Sequence, residues 1–224
     1  MMLLNSLISE YSGVIFDMDG TLVDSEYLYL KAWGECLNRQ GLYFDEWEDF
    51  FNKHCAGRTF YDGERALIDK FGPQIDLKKL NDEASVIWGQ LASDEGLQLK
   101  PGSLKLIETL KEADISMAVA TSAGREEMKK TLEPLGLVKY FSAIITGDDI
   151  PNGRGKPHPD IFLKAAGSIG ISPISCIIFE DSAAGVLGAH ATGAFVVHIP
   201  DRAEIPNEIK AKANLILRSM DELF

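Results

Sequence analysis

The chain has 224 residues, 46% of them hydrophobic and 25% charged, with three cysteines and a formal net charge of −12. That length holds one large domain or a core with a smaller second unit, and the composition is globular rather than disordered or fibrous. So acidic a surface repels phosphate backbones, which sets nucleic-acid binding aside; any site for a phosphorylated ligand must carry its own positive charge.

Residues 1–9 contain Leu3, Leu4, Leu7 and Ile8 but neither a basic leader nor a long apolar run, so they read as neither a signal peptide nor a membrane span. The first strand candidate follows at 13–17. No further strand candidate appears across 25–95. Leu30, Trp33, Gly34 and Leu37 mark a first helix that stops near Gly41, and Trp47, Phe50 and Phe51 mark a second. Residues 66–71 close a third and 80–91 form a fourth. Gly96 and Pro101-Gly102 signal the return, after which strand candidates at 115–121, 143–146, 176–180, 194–199 and, more weakly, 215–217 alternate with helical stripes. Those stripes are Leu106/Leu110/Ala113, Met128/Leu132/Leu135 and Phe162/Ala165/Ala166/Ile169. Nearly continuous apolar strands separated by helices predict an α/β fold, a doubly wound parallel sheet of Rossmann-like type, with an all-helical cap inserted after the first strand. The expected division is a core of residues 1–24 and 96–224 and a cap of 25–95. Cys36, Cys55 and Cys176 lack CxxC spacing and are odd in number, which fits reduced, buried thiols and a cytoplasmic address. Nothing resembles an association segment, so a monomer is expected.

Four polar groups stand at the ends of strand candidates, where a doubly wound sheet opens its ligand crevice. Asp17 and Asp19, in Asp17-Met18-Asp19-Gly20-Thr21, point the same way along an extended segment. Two such carboxylates suit one attacking phosphorus while the other protonates the leaving oxygen, or they form a plain acidic turn. Thr121 and Ser122 offer a hydroxyl and free N–H groups as an anion cradle, or simply a helix cap. Lys156 lies in Gly155-Lys156-Pro157-His158-Pro159-Asp160, where a fixed ammonium would neutralise a carboxylate and a phosphate together, or remain a solvated surface group. Pro157 stands where a phosphate-binding P-loop requires Ser or Thr, so that motif is excluded. Glu180 and Asp181 are hard oxygen donors suited to Mg2+, with a helix cap as the other reading of Asp181 and Ser182.

Together these runs (17–26, Thr121, 155–162 and 180–185) resemble the haloacid-dehalogenase-like superfamily of phosphohydrolases, in the branch with a helical cap after the first aspartate motif. The resemblance implies a magnesium-dependent phosphatase of small phosphorylated metabolites, sugar phosphates or nucleoside monophosphates. It implies Asp17 as covalent nucleophile, Asp19 as general acid and base, and Thr121, Ser122 and Lys156 as the phosphate site. It also implies Mg2+ held by Asp17, the Asp19 main-chain carbonyl and Asp181, with Glu180 near or ligating. The chain is similar too to β-phosphoglucomutases, which carry a histidine where this sequence has Tyr29. A mutase, or a non-catalytic metabolite-binding module, is therefore the alternative function. Arg58 is either a substrate contact or a solvated arginine, and Trp33 either lines the cleft between cap and core or belongs to the cap interior with Trp47 and Trp88. His190, in step with Ala183, Val186 and Leu187, is expected to be packed; Glu46, Glu48 and Asp49 are expected on a solvated face.

Overall fold

The computed structural model describes residues 2–57 and 60–224. Its six strands form one parallel sheet: β1 (Gly13–Phe16), β2 (Ser116–Ala120), β3 (Ala143–Ile145), β4 (Cys176–Glu180), β5 (Phe195–His198) and β6 (Leu215–Ile216). Each lies inside a predicted strand. Their spatial order is β3-β2-β1-β4-β5-β6, so the chain winds outward from β1, crosses back, and winds outward on the other side. The reversal opens a crevice above the carboxyl ends of β1 and β4.

Successive strand residues face opposite sides. Val14 and Phe16 join Met117, Val119, Ile177 and Phe179 in one apolar cluster, while Ile15 joins Ala118, Ala120 and Ile178 in the other. Both faces are therefore covered, which is why the strands carry no polar alternation.

Before the sheet comes α1 (Met2–Glu10), which burial explains better than sequence did: Leu4 and Leu7 pack into the first cluster beside Leu223. The cap follows β1 as α2 (Glu26–Arg39), α3 (Trp47–His54), α4 (Phe60–Phe71) and α5 (Leu77–Asp94). Trp33, Leu37, Trp47, Phe51, Leu67, Leu80 and Trp88 build its interior. The Trp47 indole donates to the Leu30 carbonyl at 2.9 Å and lies against Gly34, where a Cβ would come within 2.8 Å of Nε1. Asp76 caps α5 by accepting from the Lys79 N–H at 3.0 Å. The two crossings between cap and core are paired: the Asp24 N–H donates to the Gln98 carbonyl at 2.9 Å, and Val23 bridges Leu99 in antiparallel fashion.

The core resumes with α6 (Ser103–Glu112) and α7 (Arg125–Leu132), which cover the first face with α1. Helices α8 (Asp160–Ser168) and α9 (Ala183–Ala191) cover the second, and the short α10 (Asn207–Lys210) precedes β6. Glu46, Glu48 and Asp49 are exposed, as expected. His190 is not packed: it is exposed, with Nδ1 3.1 Å from the Lys212 carbonyl oxygen. The buried face of α9 is Gly185, Val186, Gly188 and Ala189. Gly185 lets this helix lie against the Glu180 carboxylate and Gly188 against the carbonyls of Pro157 and His158, so the closest-packed face is one that hydrophobic spacing does not register. No described helix is long and apolar enough to cross a membrane.

Candidate active site

Parallel register sets the site. Phe16 pairs with Val119 on one side and Phe179 on the other. The next residues of three strands, Asp17, Ala120-Thr121 and Glu180-Asp181, therefore emerge side by side. The chain then turns sharply after β1: the Met18 carbonyl accepts from both Leu22 and Val23 N–H groups, and Gly20 sits at φ 77°, a left-handed conformation that favours glycine.

Lys156 reaches this point from the loop before α8. Its Nζ lies 2.5 Å from Asp17 Oδ1 and 2.5 Å from Glu180 Oε1, with only 6% of its side chain exposed. Glu180 is fully buried, and its other oxygen accepts from the Ser182 N–H at 2.9 Å and the Ser182 hydroxyl at 3.1 Å. Ser182 also caps α9, accepting from the Gly185 N–H at 3.0 Å, so the cap reading belongs to Ser182 and not to Asp181. Asp181 Oδ1 instead accepts from the Thr21 hydroxyl at 2.9 Å.

Asp19 is oriented by other groups. The Ser25 hydroxyl donates to Oδ1 at 2.5 Å and the Thr121 hydroxyl reaches Oδ2 at 3.5 Å. Ser25 occupies the N-cap position of α2 but makes no side-chain cap bond; its hydroxyl serves Asp19. Thr121 does not cap α7, whose N-cap is Gly124; its oxygen accepts from the Ala123 N–H at 3.0 Å. Ser122 is exposed on the cleft wall.

Burial raises Asp17 to about 7, with Lys156 pulling down and Glu180 and Asp19 pushing up. It lifts Asp181 well above the carboxylate range, where Glu180, Asp17 and Asp201 add repulsion, and it raises Asp19 despite the hydroxyls of Ser25 and Thr121. Burial opposes the charge of Lys156, yet Asp17 and Glu180 together hold it above the usual lysine range. One ammonium thus faces an excess of carboxylates. Oxygens of Asp17, Glu180 and Asp181 all lie within 4.8 Å of one another, and Asp181 has no ion-pair partner among the described residues. A hard divalent cation fits this donor set and this charge deficit.

Above lies a cleft of about 900 Å³, floored by Asp17, Asp19, Thr121, Lys156 and Asp181 and roofed by Tyr29, Trp33 and Trp88 of the cap, a size suited to a small ligand. Trp33 both lines the cleft and is 97% buried in the cap interior, so its two readings coexist. The Tyr29 hydroxyl donates to Glu127 of α7, joining roof to floor. Arg58 lies outside the described residues.

Several site residues were not singled out from sequence. Glu127 is raised to about 7 by burial and the nearby Asp19 charge. Glu26 accepts from the Gly57 N–H at 3.2 Å and is raised to about 8, mainly by burial. Glu26 stands within the 17–26 run, so position could have flagged it; Glu127 has no local signal.

Two expectations follow. The folded chain keeps a proton on Glu26 that the unfolded chain releases above about pH 4.5, so stability falls as pH rises from there toward 8. Since Glu26 is only half-buried, Glu26→Gln is expected to gain about 1–2 kcal/mol over wild type at pH 8 and nothing at pH 4. Urea unfolding in chelator at both pH values checks this. At Gly185 a Cβ would fall 1.8 Å from the Glu180 carboxyl carbon. Gly185→Ala is therefore expected to cost about 3 kcal/mol, or to displace Glu180 from Lys156, read by thermal unfolding and a crystal structure.

The family described as haloacid dehalogenase-like hydrolases matches residues 14–199, and the chain belongs to it. A phosphorylated carbohydrates phosphatase of Thermotoga maritima is 31% identical over 185 residues, covering 81% of each chain. Fructose-1-phosphate phosphatase YqaB of Escherichia coli is 31% identical over 197 residues, 86% of this chain and 98% of that one. Among solved structures, β-phosphoglucomutase from Clostridium difficile shares the fold, with a TM-score of 0.73 at 22% identity over 96% of this chain and 93% of that chain. The protein is thus an enzyme, a phosphoric monoester hydrolase of this family.

Proposed function

We propose that the enzyme hydrolyses phosphate monoesters of sugars or related small metabolites, with Mg2+ and through a phosphorylated Asp17. The observation that carries this reading is Lys156, buried and bridging Asp17 and Glu180 at 2.5 Å each beneath a roofed cleft. The activities of the Thermotoga and Escherichia relatives support a sugar phosphate over a nucleoside monophosphate.

An oxygen of Asp17 attacks phosphorus, the bond to the leaving oxygen breaks, and Asp19 delivers its proton to that oxygen. The raised affinity of Asp19 for a proton suits this donor role. Asp19 then takes a proton from water as the water attacks phosphorus, and Asp17 is regenerated as phosphate departs. Thr121, Ser122 and Lys156 hold the phosphoryl oxygens. Asp17, Asp181, the Asp19 carbonyl and Glu180 would hold the magnesium, which supplies charge neutralisation among these anions and in the transition state. The roof, with Tyr29 and Trp33, selects the leaving group and excludes bulk water, and Arg58 is a candidate contact to the substrate.

The division into a core of 1–24 and 96–224 and a cap of 25–95 belongs to the same reading, as do the monomeric state and cytoplasmic address; three free, buried cysteines support that address. The test is phosphate release from a panel of sugar phosphates and nucleoside monophosphates, with magnesium or with chelator. Magnesium-dependent release led by sugar phosphates is expected. Isomerisation of a hexose 1-phosphate without release would assign the mutase reading instead, and binding without turnover the non-catalytic one.

A further inference from the structure

The loop after β5 brings a further carboxylate to the edge of this centre. Asp201 leaves only 7% of its side chain exposed. Its Oδ1 accepts from Lys100 Nζ at 2.5 Å, while its Oδ2 is buried and has no hydrogen-bond partner. That free oxygen faces the acidic cluster. A Cβ on Gly20 would lie 2.6 Å from Asp181 Oδ2 and 3.0 Å from Asp201 Oδ2, so both oxygens converge on one small space above the turn. Asp181 spends its other oxygen on Thr21. A buried carboxylate oxygen without a donor is costly, and here it adds to the repulsion already pressing on Asp181. A group that brings positive charge and O–H donors into that space removes both penalties, and a hydrated divalent cation does so, because magnesium keeps several of its waters.

We infer that Asp201 is a positioning residue of the metal centre: clamped on one oxygen by Lys100, it offers the other beside Asp181 as the acceptor for water carried by the cation. This rests on the magnesium site proposed above. The clamp also lies where cap and core meet. Lys100 follows the cap's return, its N–H donating to the Leu22 carbonyl at 2.9 Å, and Arg202, next to Asp201, reaches Glu48 of α3 at 3.3 Å and sits 5.4 Å from the Tyr27 ring of α2.

The experiment is Mg2+ binding to the full chain by calorimetry without substrate, for wild type, Asp181→Asn and Asp201→Asn, in low salt and at about 0.5 M KCl. The amide of Asp201→Asn keeps the shape and an acceptor for Lys100 but loses the charge. Its Kd for Mg2+ is expected to rise about tenfold, at both salt concentrations, while the metal-free melting temperature stays level or rises. A Kd within twofold of wild type overturns the inference. So does a loss that disappears in high salt, since that reports a screened long-range field and not a contact. Should Asp201→Asn fold poorly, Lys100→Met/Asp201→Asn removes the whole ion pair and carries the same reading. Failure of wild type to bind Mg2+ overturns the magnesium site itself, whereas normal binding by wild type, loss in Asp181→Asn and no change in Asp201→Asn overturn this inference alone.

Discussion

Asp17→Asn is expected to lower phosphate release by roughly 10⁴-fold or more while leaving the fold intact. The amide matches the carboxylate in shape, and its oxygen can still accept from Lys156, but it lacks the negative charge proposed to attack phosphorus. Stability should not suffer. Asp17 is buried with its proton affinity raised, so removing its charge relieves repulsion from Glu180 and Asp19 at the cost of one ion pair with Lys156. Phosphate release measured beside the melting temperature separates these effects. Activity above about one per cent of wild type would show that Asp17 is not the nucleophile.

Lys156→Met is the second large effect, and it acts on stability as well as turnover. Lys156 is the ion-pair partner of both Asp17 and Glu180, and Glu180 is fully buried. Deleting one partner of a buried pair strands the other charge, at a cost of about 3–5 kcal/mol. The sign of its pH dependence follows from the groups left behind. Lys156 is held above the usual lysine range, so its contribution is fully present below the unfolded lysine value and constant between pH 5 and 8. Stranded Asp17, in contrast, is already raised and loses the downward pull of Lys156, so the folded variant holds a proton there that the unfolded chain sheds above about pH 4. The deficit of Lys156→Met should therefore be smaller at pH 5 and larger at pH 8. Chemical denaturation in chelator at the two pH values measures it, and an equal deficit at both would show that lost packing, rather than stranded charge, dominates. Lys156→Arg should not restore activity, because a planar guanidinium does not fit where one ammonium is shared between two buried oxygens.

Some of this was legible in the sequence and some was not, for physical reasons. The strands were visible because both sheet faces are covered, which left runs such as 176–180 unbroken by polar residues. Asp17, Asp19, Thr121, Lys156, Glu180 and Asp181 were visible because strand ends gather in one crevice, and each stood next to a readable strand or turn. Asp201 and Glu127 were not visible. Their roles come from partners far along the chain, Lys100 for one and Tyr29 for the other, and no local pattern announces a contact across such separations. His190 misled because two glycines, invisible to hydrophobic spacing, define the buried face of α9. Helix α1 escaped because nine residues with a few leucines could equally be a loose end until Leu4 and Leu7 met the sheet.

The paired crossing at Val23 and Leu99 has a consequence for how such enzymes diversify. Because the ends of the helical insert lie within one hydrogen bond of each other, at Asp24 and Gln98, the sheet sees it as a loop of nearly zero span. The entropy of closing such a loop grows only slowly with its length, so helices can be lengthened, shortened or exchanged as a cassette with little penalty to the sheet. Recombination at this point would hand the same phosphate chemistry a new choice of leaving group in a single event.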